Sequence, residues 1–150
     1  MTNGALSARW ADSDGVRAER GRILVTFLCQ IEGLADPGTK NVVLGEGEDE
    51  LDIIIVQCAG TRHAYINCCP HQFIPLETFP NHFLTADKKQ MVCSGHGARF
   101  ALTTGECVYG PCLGRSLTRL LIEEKDGAIY LADPRPPGEI ARDARALRRW

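Results

Sequence analysis

Two short motifs, each pairing one cysteine with one histidine, constrain this chain more than any other feature. Cys69 and His71 are separated by one residue, and Cys93 and His96 are separated by two. Thiolate and imidazole are the side chains that most often bind zinc and iron in proteins. Four such groups in two close pairs predict a metal centre held by two loops that face each other.

The division of the ligands between the motifs favours a two-iron cluster over a single zinc ion. In zinc fingers each half usually carries like ligands, two cysteines and then two histidines. Here each half carries one of each kind, which suits a [2Fe–2S] centre in which both cysteines bind one iron and both histidines bind the other. A structural zinc module remains the alternative.

The chain resembles the Rieske iron–sulfur proteins, in particular their small stand-alone, ferredoxin-like subgroup. The matching residues are Cys69-Pro70-His71, Cys93-Ser94-Gly95-His96-Gly97 and Gly110-Pro111. The last is similar to the proline loop that covers the cluster in that family. The resemblance extends over about residues 23–132, and it implies a [2Fe–2S] cofactor whose metal ligands are Cys69, His71, Cys93 and His96.

Short segments rich in β-branched and aromatic residues, separated by turn signals, predict an all-β fold. Glycine-containing turns at 103–105 and 125–127 predict two hairpins. The resemblance implies antiparallel sheets that carry an inserted cluster-binding subdomain at about residues 67–112. The predicted strands are residues 23–30, 41–44, Leu51–Cys58, 62–67, 90–93, 98–102, 106–109, 116–124 and 128–132.

The segments outside these strands predict three further features. Residues 1–22 are polar and lack periodicity, so we expect a flexible leader. Residues 72–90 are expected to form an ordered loop that packs under the cluster. Residues 133–150 contain a proline-rich linker and then a basic helix from Glu139. We interpret that helix as a solvated terminal element, with docking to an acidic partner as the alternative.

Charge and cysteine content limit the classes of function. A net charge of −2 over 150 residues gives no reason to expect nucleic acid or a membrane surface as a partner. No apolar run approaches the roughly 18 residues that span a bilayer, and no signal-peptide pattern is present. The odd number of cysteines, seven, favours metal binding and free thiols over a disulfide framework. We therefore interpret the chain as cytoplasmic.

The resemblance also implies a reduction potential in the lower part of the Rieske range, which is about −150 to +300 mV. High-potential relatives carry a serine and a tyrosine, two and four residues after the second histidine, where this chain has Ala98 and Phe100. Respiratory relatives also join their cluster loops by a disulfide, at positions that correspond here to Ile74 and Gly95. Neither device is available to this chain.

The leading functional hypothesis is a one-electron carrier that is not itself an enzyme. It would accept electrons from a flavin reductase and pass them to an oxygenase or a similar terminal enzyme, through a small interface around the histidine edges, Phe73 and Ile74. One alternative is a small non-catalytic subunit of a larger, nitrite-reductase-like oxidoreductase. Another is a redox or iron sensor that signals through the cluster or through Cys107 and Cys112.

Overall fold

The structure, a computed structural model, describes residues 16–17, 24–77 and 82–146, which form antiparallel strands and a C-terminal helix. A 3₁₀ turn, Gly47–Asp49, lies between β3 and β4, and the helix is α1, Pro137–Ala146. The strands are β1 (Val16–Arg17), β2 (Leu24–Gln30), β3 (Gly38–Leu44), β4 (Leu51–Cys58), β5 (Thr61–Ile66), β6 (Gln90–Val92), β7 (Arg99–Ala101), β8 (Cys107–Tyr109), β9 (Arg119–Leu120), β10 (Ile122–Lys125) and β11 (Ala128–Asp133).

The strands form three sheets, which confirms the all-β, antiparallel prediction. The outer sheet has the order β1-β2-β11-β10, and the central sheet has the order β3-β4-β5-β9. The third, which we call the site sheet, has the order β6-β7-β8 and lies within the segment that the sequence predicts as the cluster-binding part. Hairpins at β7–β8 and β10–β11 follow the two predicted turns, and a further hairpin joins β4 to β5.

Strand β4 packs against both halves of the fold because alternate side chains of a strand point to opposite faces. Ile53 and Ile55 pack toward the outer sheet and α1, in what we call the scaffold core. Ile54 and Val56 pack toward the site sheet and the metal-binding loops, in the site core. All four side chains are fully buried. The central sheet therefore supports the site sheet on one face and the outer sheet on the other.

The C-terminal helix packs on the body of the fold, whereas a solvated element was expected. Ile140 and Ala141 are buried in the scaffold core. Arg142 pairs with the Asp49 carboxylate, and Arg145 donates to the backbone carbonyl of Glu48. Two of the arginines thus bind the turn before β4 rather than facing solvent alone. Residues 147–150 of the predicted helix lie outside the described residues.

Three sequence predictions about strands need correction. Residues 116–124 were expected to form one strand, but β9 pairs with β5 in the central sheet and β10 pairs with β11 in the outer sheet. The chain changes sheets at the exposed Leu121, which no local pattern marks. Strand β3 starts earlier than predicted because its pairing with β4 continues to Gly38. Within the predicted leader, Val16–Arg17 pair with β2, and the rest of residues 1–22 lies outside the described residues.

The loop between the two metal-binding motifs is anchored in the site core. Leu76 and Phe83 are fully buried there, as predicted for a loop that packs under the centre. Residues 78–81, which include Phe79, lie outside the described residues. No helix in the described part of the chain is long and apolar enough to cross a membrane.

Candidate metal centre

The first metal-binding loop leaves the end of β5 and is closed by its own hydrogen bonds. The Cys69 N–H donates to the Ile74 carbonyl at 2.8 Å, and the Phe73 N–H donates to the Cys69 carbonyl at 2.7 Å. Phe73 has a φ of 59°, a conformation that L-residues seldom adopt. The loop is therefore a tight turn that keeps Cys69 and His71 close together.

The buried amide of Asn67 closes this loop from below. Its Oδ1 accepts the Leu76 N–H at 2.8 Å, and its Nδ2 donates to Glu77 at 2.7 Å and to Asp52 at 3.3 Å. Asn67 is only 3% exposed. Burial raises the pKa of Asp52, whereas hydrogen bonds from Asn41 and Asn67 act to lower it and the charge of Glu77 to raise it. Sequence analysis missed this residue, since an asparagine before a Cys-x-His motif carries no spacing signal.

The second loop joins β6 to β7 and is tied to the first. The Cys93 N–H donates to the Ala98 carbonyl at 2.8 Å, and the Gly97 N–H returns to the Cys93 carbonyl at 2.9 Å. The Ser94 N–H donates to the Leu76 carbonyl at 2.7 Å, which links the two loops directly. Gly97 has a φ of 74°, a value that favours glycine.

The two cysteines predicted as ligands lie side by side beneath the surface. Cys69 is 2% exposed and Cys93 is 1% exposed, and the two side chains interact. Burial raises the pKa of the Cys69 thiol. Hydrogen bonds from the backbone N–H groups of His71 and Gln72 act in the opposite direction, and the neighbouring Cys93 adds to the rise. These N–H groups are aimed at a sulfur atom that would carry negative charge as a metal ligand.

The two histidines predicted as ligands form a second pair, nearer the surface. Their ring centroids are 5.0 Å apart and the planes meet at 89°. His96 is exposed and His71 is partly buried. The Nδ1 atom of His71 is buried and has no hydrogen-bond partner. A buried polar atom without a partner is unfavourable by about 1–3 kcal/mol, so its placement needs an explanation.

A [2Fe–2S] cluster provides that explanation and fits the pairing of the side chains. In a Rieske-type cluster each iron takes only two protein ligands, two sulfurs on one iron and two ring nitrogens on the other. Among the described residues, no group of three or more His, Cys, Asp or Glu side chains is placed to hold a single metal ion. A sulfur pair beside a nitrogen pair, with one ring nitrogen buried and unpaired, is the donor set that a two-iron cluster uses.

The positions that distinguish relatives of high potential are filled by apolar groups. Ala98 and Phe100 are fully buried and have no hydroxyl. A Cβ atom on Gly95 would lie 2.8 Å from the Cδ1 atom of Ile74, so Ile74 packs directly against Gly95. The two loops thus meet through an apolar contact at the positions where the resemblance places a disulfide in respiratory relatives. Ile74 is 37% exposed and contributes to the surface beside the centre.

Most of the remaining cysteines and histidines whose contacts are described below lie away from this set. Cys68 packs toward the scaffold core and Cys69 toward the site core, as their neighbouring positions in an extended segment require. Cys29 is buried in the scaffold core. His63 hydrogen-bonds with Thr61 and Arg119 on the central sheet. Cys112, which follows Gly110-Pro111, is buried with Cys69 in the site core, a placement that sequence analysis did not predict. Burial, then Cys107 and then Cys69, raise the pKa of the Cys112 thiol.

Comparisons with known proteins identify the family and relatives of this fold. The family model of the Rieske [2Fe-2S] domain matches residues 25–129. The ferredoxin of Sphingomonas yanoikuyae B1 has a similar fold, with a TM-score of 0.56 and 21% identity over 72% of this chain and 97% of that chain. The ferredoxin of carbazole 1,9a-dioxygenase from Nocardioides aromaticivorans IC177 gives a TM-score of 0.56 and 17% identity, covering 74% of this chain and 98% of that chain.

A third similar structure is a complex of reduced oxygenase and oxidized ferredoxin in carbazole 1,9a-dioxygenase. It gives a TM-score of 0.58 and 20% identity, covering 72% of this chain and 92% of the matched chain. At these levels of identity the structural likeness establishes the fold. A search of the curated proteins found no match.

Proposed function

This chain belongs to the Rieske [2Fe-2S] domain family, and for that reason we propose that it acts as a one-electron carrier. The [2Fe–2S] cluster of the family supplies reversible one-electron transfer when it is bound. The observation that supports the proposal most directly is the buried, unpartnered Nδ1 of His71, whose ring lies next to the ring of His96. The ligands that we assign are Cys69, His71, Cys93 and His96.

In such a carrier the cysteines and the histidines of the site would have different roles. Cys69 and Cys93 hold the inner side of the site, where Leu76, Phe83 and Phe100 exclude water. The exposed His96 and partly buried His71 form the outer side and give the shortest route for an electron to a partner. Apolar side chains at that surface, Ile74 among them, would form a small, transient interface.

We propose an oxygenase as the electron acceptor and a flavin reductase as the donor. The two named ferredoxins with this fold match over nearly their whole length, and one of them serves carbazole 1,9a-dioxygenase by its name. A carrier between two enzymes is the function that this match supports best.

The cluster assignment is tested by absorption and EPR spectroscopy of the purified full chain, with iron and sulfide analysis. We expect two irons and two sulfides per chain, and coupling of the reduced centre to ring nitrogens. His71→Ala should abolish the nitrogen-ligated signal, whereas His63→Ala, which removes a histidine outside the site, should leave it unchanged. A colourless, zinc-containing preparation would contradict the cluster assignment and favour the alternative of a structural zinc module.

The carrier role is tested by mixing the reduced protein with a purified oxygenase component. Electron transfer is monitored as the reoxidation of the reduced protein. Gel filtration of native extract separates this role from that of a subunit in a larger oxidoreductase. A carrier elutes as a small protein, and a subunit co-elutes with its partners. Co-elution with a large complex through several purification steps would contradict the carrier proposal.

A further inference from the structure

Two buried thiols outside the four assigned ligands meet beside the candidate centre. The Sγ atoms of Cys107 and Cys112 are 3.0 Å apart, with the Cys112 thiol donating to the Cys107 sulfur. The Cys107 thiol in turn donates to the Tyr109 carbonyl at 3.3 Å. Each cysteine is only 2% exposed. Electron transfer through the cluster gives neither thiol a task, so their close contact calls for a separate account.

The fold holds the two thiols together through the turn that joins them. The Cys107 N–H donates to the Arg115 carbonyl at 2.8 Å, and the Arg115 N–H donates to the Cys112 carbonyl at 2.9 Å. Between the cysteines, Gly110 has a φ of 104°, and a Cβ there would lie 2.8 Å from the Cα of Ala98. The turn is thus pressed against the second metal-binding loop. The sulfurs are about 1 Å beyond the roughly 2.05 Å of a covalent S–S bond.

We propose that Cys107 and Cys112 form a redox-active dithiol that a hydroperoxide oxidises to a disulfide. One sulfur attacks a peroxide oxygen, the O–O bond breaks, and the alcohol, or water from hydrogen peroxide, leaves with the thiol proton. The resulting sulfenic acid is attacked by the second thiol, so that the S–S bond forms, the S–O bond breaks and water leaves. The two sulfurs together lose two electrons, and the peroxide gains them.

Oxidation of the pair also reaches the centre, a consequence that rests on the proposed function. Cys112 and Cys69 are buried in the same site core. The one thiol proton of Cys112 is donated to the Cys107 sulfur in this structure. Rotation about the Cβ–Sγ bond of Cys112 can turn that proton toward a negatively charged Cys69 sulfur, whereas the disulfide has no proton to donate. Donors near the ligand sulfurs stabilise the more negative, reduced cluster. The midpoint potential should therefore fall when the pair is oxidised.

The test uses the purified, cluster-loaded full chain and hydrogen peroxide as the probe. After treatment the protein is denatured, its thiols are blocked with N-ethylmaleimide, and it is digested with trypsin. Both cysteines fall in one peptide, residues 100–115, so the products are read from its mass. We expect this peptide to lose two hydrogens and carry no label, and to regain two labels when dithiothreitol precedes blocking.

Three other outcomes would overturn the proposal. The peptide could keep two labels at peroxide concentrations that already oxidise Cys29, so that Cys29 no longer takes the label. Cys29 is the matched buried thiol of the scaffold core. The peptide could carry higher oxides of sulfur without a disulfide. It could be cross-linked to the peptide that contains Cys69. Because the assay reads the wild-type chain by mass, it gives an answer even if the protein fails as an electron carrier.

A second measurement examines the link to the centre. Film voltammetry should show a lower midpoint potential after peroxide treatment of the wild type, reversed by dithiothreitol. In Cys112→Ala, which cannot form the pair, treatment should leave the potential unchanged. Cys29→Ala serves as the matched control and should respond as the wild type does. An equal fall in Cys112→Ala would show that peroxide acts on the centre by another route.

Discussion

Replacing Asn67 by alanine should loosen the first metal-binding loop and speed the loss of the cluster. The side chain leaves three contacts behind, which are the N–H of the fully buried Leu76, the Glu77 carboxylate and the Asp52 carboxylate. An unpaired buried N–H is unfavourable by about 1–3 kcal/mol, and a lost hydrogen bond to a charged group by about 1.5–3 kcal/mol. Glu77 is partly solvated and the Asp52 bond is long, so we expect a total of about 3 kcal/mol.

The assay is urea denaturation of the loaded protein, followed both by far-UV circular dichroism and by the visible absorbance of the cluster. Asn67→Ala should lower the free energy of unfolding by about 3 kcal/mol. It should also release the cluster well below the unfolding midpoint, because the loop that carries Cys69 and His71 loses its anchor while the sheets persist.

Asn41→Ala is the matched control. Asn41 also donates to Asp52 and to the Ile53 carbonyl, but it lies on β3, outside the metal-binding loop. This variant should lose stability without early release of the cluster. If the two variants release the cluster equally early, or if Asn67→Ala changes stability by less than about 1 kcal/mol, the anchoring role of Asn67 is wrong.

Two further predictions concern potential and pH. Phe100→Tyr adds a hydroxyl at the fully buried position where high-potential relatives carry one. Film voltammetry should show a rise in the midpoint potential on the order of 40 mV, which is the one-electron equivalent of about 1 kcal/mol. An unchanged potential would show that the ring at this position does not reach a ligand sulfur. Burial first, and the charge of Arg119 second, lower the pKa of His63 below its ordinary 6.5. Its neutral form therefore stabilises the fold above about pH 6.5, and that contribution is lost as the pH falls through the lowered folded-state pKa. His63→Gln should flatten this part of the stability profile in urea titrations at several pH values, and an unaltered profile would exclude His63 as its source.

Local signals in the sequence were sufficient for much of the strand order and indicated the donor set that we propose. The spacing of Cys69, His71, Cys93 and His96 indicated the residues that the structure brings together. The apolar run of Leu51–Cys58 marked the strand that is buried on both faces. A glycine turn at 103–105 correctly placed the hairpin of the site sheet. In each case the deciding interactions lie within a few residues along the chain.

Features that depend on distant residues could not be predicted in the same way. The change of sheet at Leu121 follows from the pairing of β9 with β5, more than fifty positions away in the sequence, which is a separation that no local pattern encodes. The seating of α1 depends on Asp49 and on the backbone of Glu48. The burial of Cys112 in the same core as Cys69 likewise follows only when the turn after β8 packs against the second metal-binding loop.

The two-faced burial of β4 bears on how such a protein can be divided or recombined. Removing the segment that carries the metal-binding loops would uncover Ile54, Val56 and Tyr65, all fully buried in the intact fold. The truncated protein would therefore expose an apolar surface that favours aggregation. The segment that carries the metal-binding loops therefore does not form an independent folding unit. Chimaeras with relatives should take β4, β5 and the site sheet together from one parent.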